Sequence, residues 1–415
     1  MFRVPCHPQR SITACLVAIA CTLAVTGCTG NPAASGTAAG SAMATNGSAA
    51  VISAQPASYD PEFRTIDLGC DLAHTGRMQL DYAKNFTVDE FEGGVRLVCE
   101  ANGERFLVVP AGASAPDGLD PDIAVIQQPL DSVYLVSTGM ICLIDEVGAL
   151  DAVTVSSVSA EDSPNADLTA ALEDGRTDFG GKYSAPDFEL IAERGCTLAI
   201  ENTKINHAPE VKQKLQDLGV TVLTELSSSE PEVLGRLEWM KLMGVLFGRE
   251  DEANARFDEI AQRVWAVADQ APTGKTVAFF YINDDGAAVT RRSTDYFAQM
   301  IQLAGGDPIS FDPDAEAEGS SSIQAVIDLE TFYAQAKDAD VIIYNTTVDT
   351  SVKSIADLTA KNPLFADFRA VQDGEVYACD ENMYQAMTDM DAILEDLRCA
   401  LTGSGESAGF IWKLD

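Results

Sequence analysis

The sequence predicts an α/β protein whose two halves flank a helical connector. Three observations lead there. Before residue 230, apolar runs of strand length alternate with helix-length amphipathic runs. After residue 271 the same alternation resumes. Between them, residues 230–270 show helical spacing and no strand. Alternating strands and helices imply parallel sheets covered by helices.

The elements follow in order. Residues 91–98 and 105–110 are strand-like, and Ala101-Asn102-Gly103-Glu104 between them carries hairpin turn chemistry. Residues 132–137 form a buried strand, 139–150 a helix and 153–155 a strand. A helix over 186–194 leads into a strand over 196–200, and a helix over 209–218 into a strand over 220–223. In the connector, Leu234, Leu237, Met240 and Met243 mark one helix, and Phe257, Ile260, Ala261 and Val264 a second. Gly248-Arg249 interrupts them, and Glu250-Asp251-Glu252 suits a helix N-terminus, whose dipole favours acids. In the second half, strands fall at 276–282, 341–344 and 376–378, and helices at 295–304, 328–336 and 389–401.

The N-terminus carries an address. Arg3 and Arg10 accompany an apolar run over 12–25, shorter than the roughly 20 residues that a bilayer crossing needs. This is the pattern of a secretory signal. Leu23-Ala24-Val25-Thr26-Gly27-Cys28 resembles the bacterial lipobox, which implies lipidation of Cys28 and anchoring to the outer face of the cell membrane. The small and polar residues that follow bury too little to offset ordering entropy, so they read as a flexible tether. The expected organisation is a signal over 1–27, a tether over 28–58, an N-terminal lobe with the hairpin over 59–230, connecting helices over 231–271, a C-terminal lobe over 272–402 and a tail over 403–415.

Composition narrows the function. With 64 acidic against 27 basic residues, the net charge of −37 argues against nucleic acid, whose phosphates call for clustered Lys and Arg. Six cysteines follow Cys28, none in C-x-x-C spacing. Cys379 and Cys399 are the first candidates for a disulfide, with buried free thiols as the alternative. His74 and His207 alone cannot complete a zinc site. The sequence lacks G-x-S-x-G, H-E-x-x-H and a P-loop, so neither an enzyme nor a resident cofactor or metal is expected.

Several segments carry a resemblance. They are residues 180–189 (beginning Gly180-Gly181-Lys182-Tyr183), Leu198-Ala199-Ile200-Glu201-Asn202, Pro209-Glu210-Val211, Gly235-Arg236-Leu237-Glu238-Trp239-Met240-Lys241, Ala304-Gly305-Gly306, Asp328-Leu329-Glu330 and Gly374-Glu375-Val376-Tyr377. In this order, over residues 130–402, they resemble the substrate-binding proteins of ABC importers for iron complexes, haem and vitamin B12. The resemblance implies two Rossmann-like lobes joined by a long rigid connecting helix, with the ligand in the cleft between them. It implies a monomer that captures a metal chelate, foremost a ferric siderophore, and delivers it to a permease and its ATPase. Haem and corrinoid are alternatives on the same fold, and an exported enzyme is the alternative of another class. The resemblance also implies one permease-docking glutamate per lobe, Glu210 and Glu330.

Ligands of open α/β sheets sit beyond the carboxyl ends of the strands. The first half then offers Thr138, Met140, Lys182, Tyr183, Asn202, Lys204 and His207, and the connector offers Arg236. The second half offers Asn283, Arg291, Arg292, Tyr296, Asn345 and Tyr384. Arg291-Arg292 is the most informative pair, because guanidiniums suit the oxygens of carboxylates, phosphates and anionic chelates. The alternative for this pair is bridging to Asp284 or Asp285, and for Arg236 an ion pair with Glu232. Tyr183 and Tyr296 could stack on a ligand or ligate iron, and His207 could ligate a haem or corrinoid metal.

Overall fold

The computed structural model describes residues 64–312 and 324–415. Cys28, the signal and the tether lie outside the described residues.

The hairpin of the sequence sits inside a five-stranded sheet: β1 (His74–Arg77), β2 (Phe86–Phe91), β3 (Arg96–Glu100), β4 (Arg105–Val109) and β5 (Ile123–Gln127), in that spatial order. The strand expected over 91–98 is broken. Gly93 and Gly94 take φ of 78° and 77° and reverse the chain between β2 and β3, a conformation that costs little only for glycine. Side chains alternate between the two faces. Val88, Val98, Phe106, Val108 and Ile126 enter the main core, while Leu97, Leu107, Val109 and Ile123 build a small core of their own. Phe86 meets Trp239 edge-on at 4.9 Å. The sheet therefore shares the main core of the protein.

The N-terminal lobe is an all-parallel sheet ordered β12-β11-β6-β7-β8. In chain order it runs β6 (Val133–Leu135), α1 (Gly139–Glu146), β7 (Val153–Ser156), α2 (Ala166–Glu173) and β8 (Asp178–Phe179). A small hairpin of β9 (Gly181–Lys182) and β10 (Ala185–Pro186) follows, then α3 (Phe188–Glu193), β11 (Leu198–Glu201), α4 (Pro209–Asp217) and β12 (Thr221–Thr224). The expected strands of this lobe are present. Helix α2 was not foreseen, because it buries only Leu168 and Ala171 and shows no apolar stripe.

The connector is α5 (Val233–Phe247) and α6 (Glu250–Ala268). Gly248 ends α5 at φ 65°, as expected for a left-handed C-cap. The break is a reversal. A Cβ on Gly244 would stand 2.6 Å from the Ala253 Cβ, so the two helices pack against each other. Helix α5 is buried almost all round, whereas α6 buries one stripe of Ala253, Phe257, Ile260 and Val264.

The C-terminal lobe is a seven-stranded mixed sheet. Its elements are β13 (Thr276–Ile282), β14 (Ala288–Arg291), α7 (Tyr296–Leu303), β15 (Asp307–Pro308), β16 (Gln324–Ile327), α8 (Leu329–Ala336), β17 (Val341–Tyr344), α9 (Ile355–Lys361), α10 (Arg369–Gln372), β18 (Val376–Cys379), α11 (Met390–Thr402) and β19 (Ile411–Lys413). Strands β13, β17 and β18 are parallel, and β14, β16 and β19 are antiparallel additions at the edges.

Three expectations are corrected. Asn283 and Arg291, expected beyond the carboxyl end of a strand, lie at the two ends of a hairpin arm, because β14 pairs antiparallel with β13 between them. The tail over 403–415 is anchored: β19 pairs with β18, and the Asp396 carboxylate accepts the N–H groups of Ala408, Gly409, Phe410 and Ile411. Cys379 and Cys399 are both free thiols. The Cys379 Sγ is buried against Thr346 and the Tyr344 carbonyl, while Cys399 lies against Gly405 and Glu406.

Candidate functional site

Five side chains from four segments converge where the connector meets the C-terminal lobe. Arg236, on the first turns of α5, lays its guanidinium over the Tyr296 ring at 4.4 Å. Tyr296 opens α7 and stands 6.5 Å from Tyr384, centroid to centroid. Arg291, at the end of β14, donates to the Tyr384 hydroxyl at 3.0 Å and lies 3.9 Å from Asp295. Asp295 caps α7 by accepting from the Phe297 N–H at 2.9 Å. The alternative partners named from sequence, Asp284 and Asp285, lie exposed on the β13–β14 turn.

The electrostatics favour an anion. Two guanidiniums face one buried carboxylate, so this cluster is positive in an otherwise acidic protein. Burial pushes the Asp295 carboxyl above its ordinary value, against the pull of Arg291. Burial also lifts Tyr296 to about 12 and raises Tyr384 well above the usual phenol range. Both phenols therefore stay protonated at neutral pH, which suits hydrogen bonding and stacking. The buried Arg236 Nε and Gln385 Oε1 have no hydrogen-bond partner in this arrangement.

The lobes meet beside this cluster. A side chain on Gly139, at the start of α1, would meet the Met387 methyl at 3.5 Å. Gln299 of α7 donates to the Pro231 carbonyl just before α5, at 2.7 Å. Tyr296, Asp295 and Arg291 are nearly closed off from solvent in this arrangement.

The remaining sequence candidates spread around the rim or serve the fold. Thr138 is half-buried ahead of α1, while Met140 is fully buried in the core and offers packing rather than a ligand contact. Lys182 is exposed on β9, and Tyr183 packs on the outer core of the N-terminal lobe. Asn202 caps the turn that carries Lys204 and the exposed His207, its oxygen accepting from the Lys204 N–H at 2.9 Å. Asn283 is spent on its own turn, accepting from Asp285 and Ala287. Asn345 is buried and accepts from Thr347. Arg292 is half-buried beside Arg291. Asp295, expected only as the start of a helix, is the N-cap of α7 and also joins the cluster through Arg291. Glu210 and Glu330 are both exposed in the first turns of α4 and α8. A surface hollow of about 790 Å³ adjoins Glu330, lined also by Asp328, Leu329, Asn362 and Asp367.

Comparisons with known proteins agree with this architecture. A family model described as periplasmic binding protein matches residues 135–383, more than half of the chain. An uncharacterized lipoprotein of Methanocaldococcus jannaschii is 24% identical, over 78% of this chain and 81% of its own. A periplasmic haem-binding protein from Pseudomonas aeruginosa aligns with TM-score 0.53 and 18% identity, over 69% of this chain and 98% of its own. A possible iron-binding, periplasmic solute-binding protein from Staphylococcus epidermidis aligns with TM-score 0.52 and 16% identity, over 66% and 98%.

Proposed function

This chain belongs to the periplasmic binding protein family, and on that premise we propose that it captures an anionic metal chelate, foremost a ferric siderophore, between its lobes. The family consists of solute-binding proteins, not enzymes. The observation that carries the reading is the pairing of Arg236 and Arg291 with Tyr296 and Tyr384. Guanidiniums grip the oxygens of an anionic shell, and neutral phenols stack on it. Among the described residues no group of three His, Cys, Asp or Glu could hold a metal ion. A chelate that carries its own metal fits that lining.

Delivery to an ABC permease and its ATPase extends the proposal. Glu210 and Glu330 would dock the lobes on basic pockets of the permease, and a lipid on Cys28 would keep the receptor near it. Charge reversal at Glu330 should abolish uptake with ligand affinity unchanged. Unimpaired uptake removes the docking role.

The direct test is fluorescence titration of the full chain with a panel of ferric siderophores, haemin and cobalamin. Saturable binding of a ferric siderophore that Arg291→Ala weakens supports the reading. Preference for haemin or cobalamin reassigns the ligand, and no binding in any arm removes the metal-chelate assignment.

A further inference from the structure

The loop between β1 and β2, residues 78–85, lies across both connector helices. Its backbone is gripped by two buried carboxylates. Glu238, on α5, accepts from the N–H groups of Asp81, Tyr82 and Ala83 at 3.0, 2.8 and 2.8 Å. Glu230, just before α5, accepts from those of Lys84 and Asn85 at 2.7 and 3.0 Å. Five consecutive amides thus end on two side chains. Lys241 balances Glu238 at 2.8 Å, and the Trp239 indole donates to Glu230 at 2.8 Å. The fit is close: a Cβ on Gly235 would stand 3.1 Å from the Tyr82 carbonyl.

The same loop also holds α6. The Tyr82 ring packs beside Phe257 and Trp265 at 6.1 and 6.5 Å, and its hydroxyl accepts from the Trp265 indole at 3.0 Å. We infer that residues 78–85 are a strap that locks α5 and α6 into one body and thereby fixes Arg236 over Tyr296. Gly235, under the strap, directly precedes Arg236, so a shift of the strap is passed to the next side chain. Buried carboxylates that accept several N–H bonds are costly to release, because each donor left behind is desolvated and unpaired. The part of Arg236 in ligand capture rests on the function proposed above, but the lock does not, since it is tested without ligand.

The test compares wild type with Tyr82→Ala and Glu238→Gln by amide hydrogen exchange and by the Arg236 Nε–H NMR signal, assigned with Arg236→Lys. The expected result is exchange about tenfold faster in both connector helices, with β17 of the C-terminal lobe unaffected. The ring-shifted Arg236 signal should move toward that of a solvated arginine. If Glu238→Gln does not fold, Tyr82→Ala and Tyr82→Phe carry the comparison, because this ring lies only half-buried at the surface. Folded variants with unchanged connector exchange and an unmoved Arg236 signal overturn the strap.

Discussion

At the carboxyl ends of the strands, Asn202, Ser137 and Glu225 of the N-terminal lobe hold turns and loops in place, as Asn283 and Asn345 do in the C-terminal lobe, but only the C-terminal lobe adds an arginine–tyrosine cluster whose side chains bind one another. Asn202 caps its own turn, and Glu225 ties Ser137 to Ser227. Across the cleft, Arg291 meets Tyr384 and Arg236 of the connector covers Tyr296. A side chain spent on a turn cannot turn to a ligand without undoing that turn. A pair of side chains can exchange one partner for a ligand atom without moving the backbone. Recognition should therefore fall mainly on the connector and the C-terminal lobe, with the N-terminal lobe acting as a stiff wall.

The largest effect should come from breaking that asymmetry. Arg291→Ala or Arg236→Ala should weaken binding of a ferric siderophore about 100-fold, or about 2.7 kcal/mol, the scale of a charged hydrogen bond lost in a desolvated site. His207→Ala and Asn202→Ala should leave affinity within about twofold. Isothermal titration of the four variants decides. Comparable losses from both groups would mean that the lobes share recognition evenly.

The lobes should also differ in their response to pH. Glu201, at the end of β11, is fully buried with no hydrogen-bond partner on either oxygen. Burial pushes its carboxyl from 4.5 up to about 8, with Lys212 pulling the other way. Between those values the folded lobe keeps a proton that the unfolded chain releases, so stability falls as pH rises through this window. In the C-terminal lobe, burial would raise Asp349, but hydrogen bonds from Lys361, Ser351 and Tyr344 outweigh it and hold the group at about 2. Its contribution is lost as pH falls from 3.8 toward 2. Glu201→Gln should raise stability at pH 8.5 by about 1–2 kcal/mol and leave it unchanged at pH 4. Denaturant melts at the two pH values test this. An equal shift at both would place the effect outside proton linkage.

The same contrast explains what the sequence could disclose. Strands such as 276–282 and 341–344 were legible because they are continuous apolar runs with both faces buried. The α5–α6 break was legible from Gly248. Strands β14, β16 and β19 are short additions at the sheet edges without such runs, and pairing across the sheet creates them. In the site, Arg291, Tyr296 and Tyr384 follow from their place beyond the strand ends and Arg236 from the connector, yet their mutual pairing depends on four separate segments meeting. The strap was invisible, because its bonds join the backbone of residues 81–85 to carboxylates about 150 positions away.

The smallest effect separates ring from hydroxyl within the cluster. Tyr384→Phe keeps the aromatic surface and removes the acceptor that holds Arg291 at 3.0 Å. The guanidinium then samples other rotamers, and affinity should fall about fivefold, near 1 kcal/mol. Tyr296→Phe keeps the face on which Arg236 lies at 4.4 Å, and a cation–π contact needs the ring rather than the hydroxyl. Affinity should then stay within about twofold of wild type. If Tyr296→Phe proves the more damaging, its hydroxyl touches the ligand directly. Recognition would then lie deeper, toward the α1–Met387 contact, and the N-terminal lobe would be more than a wall.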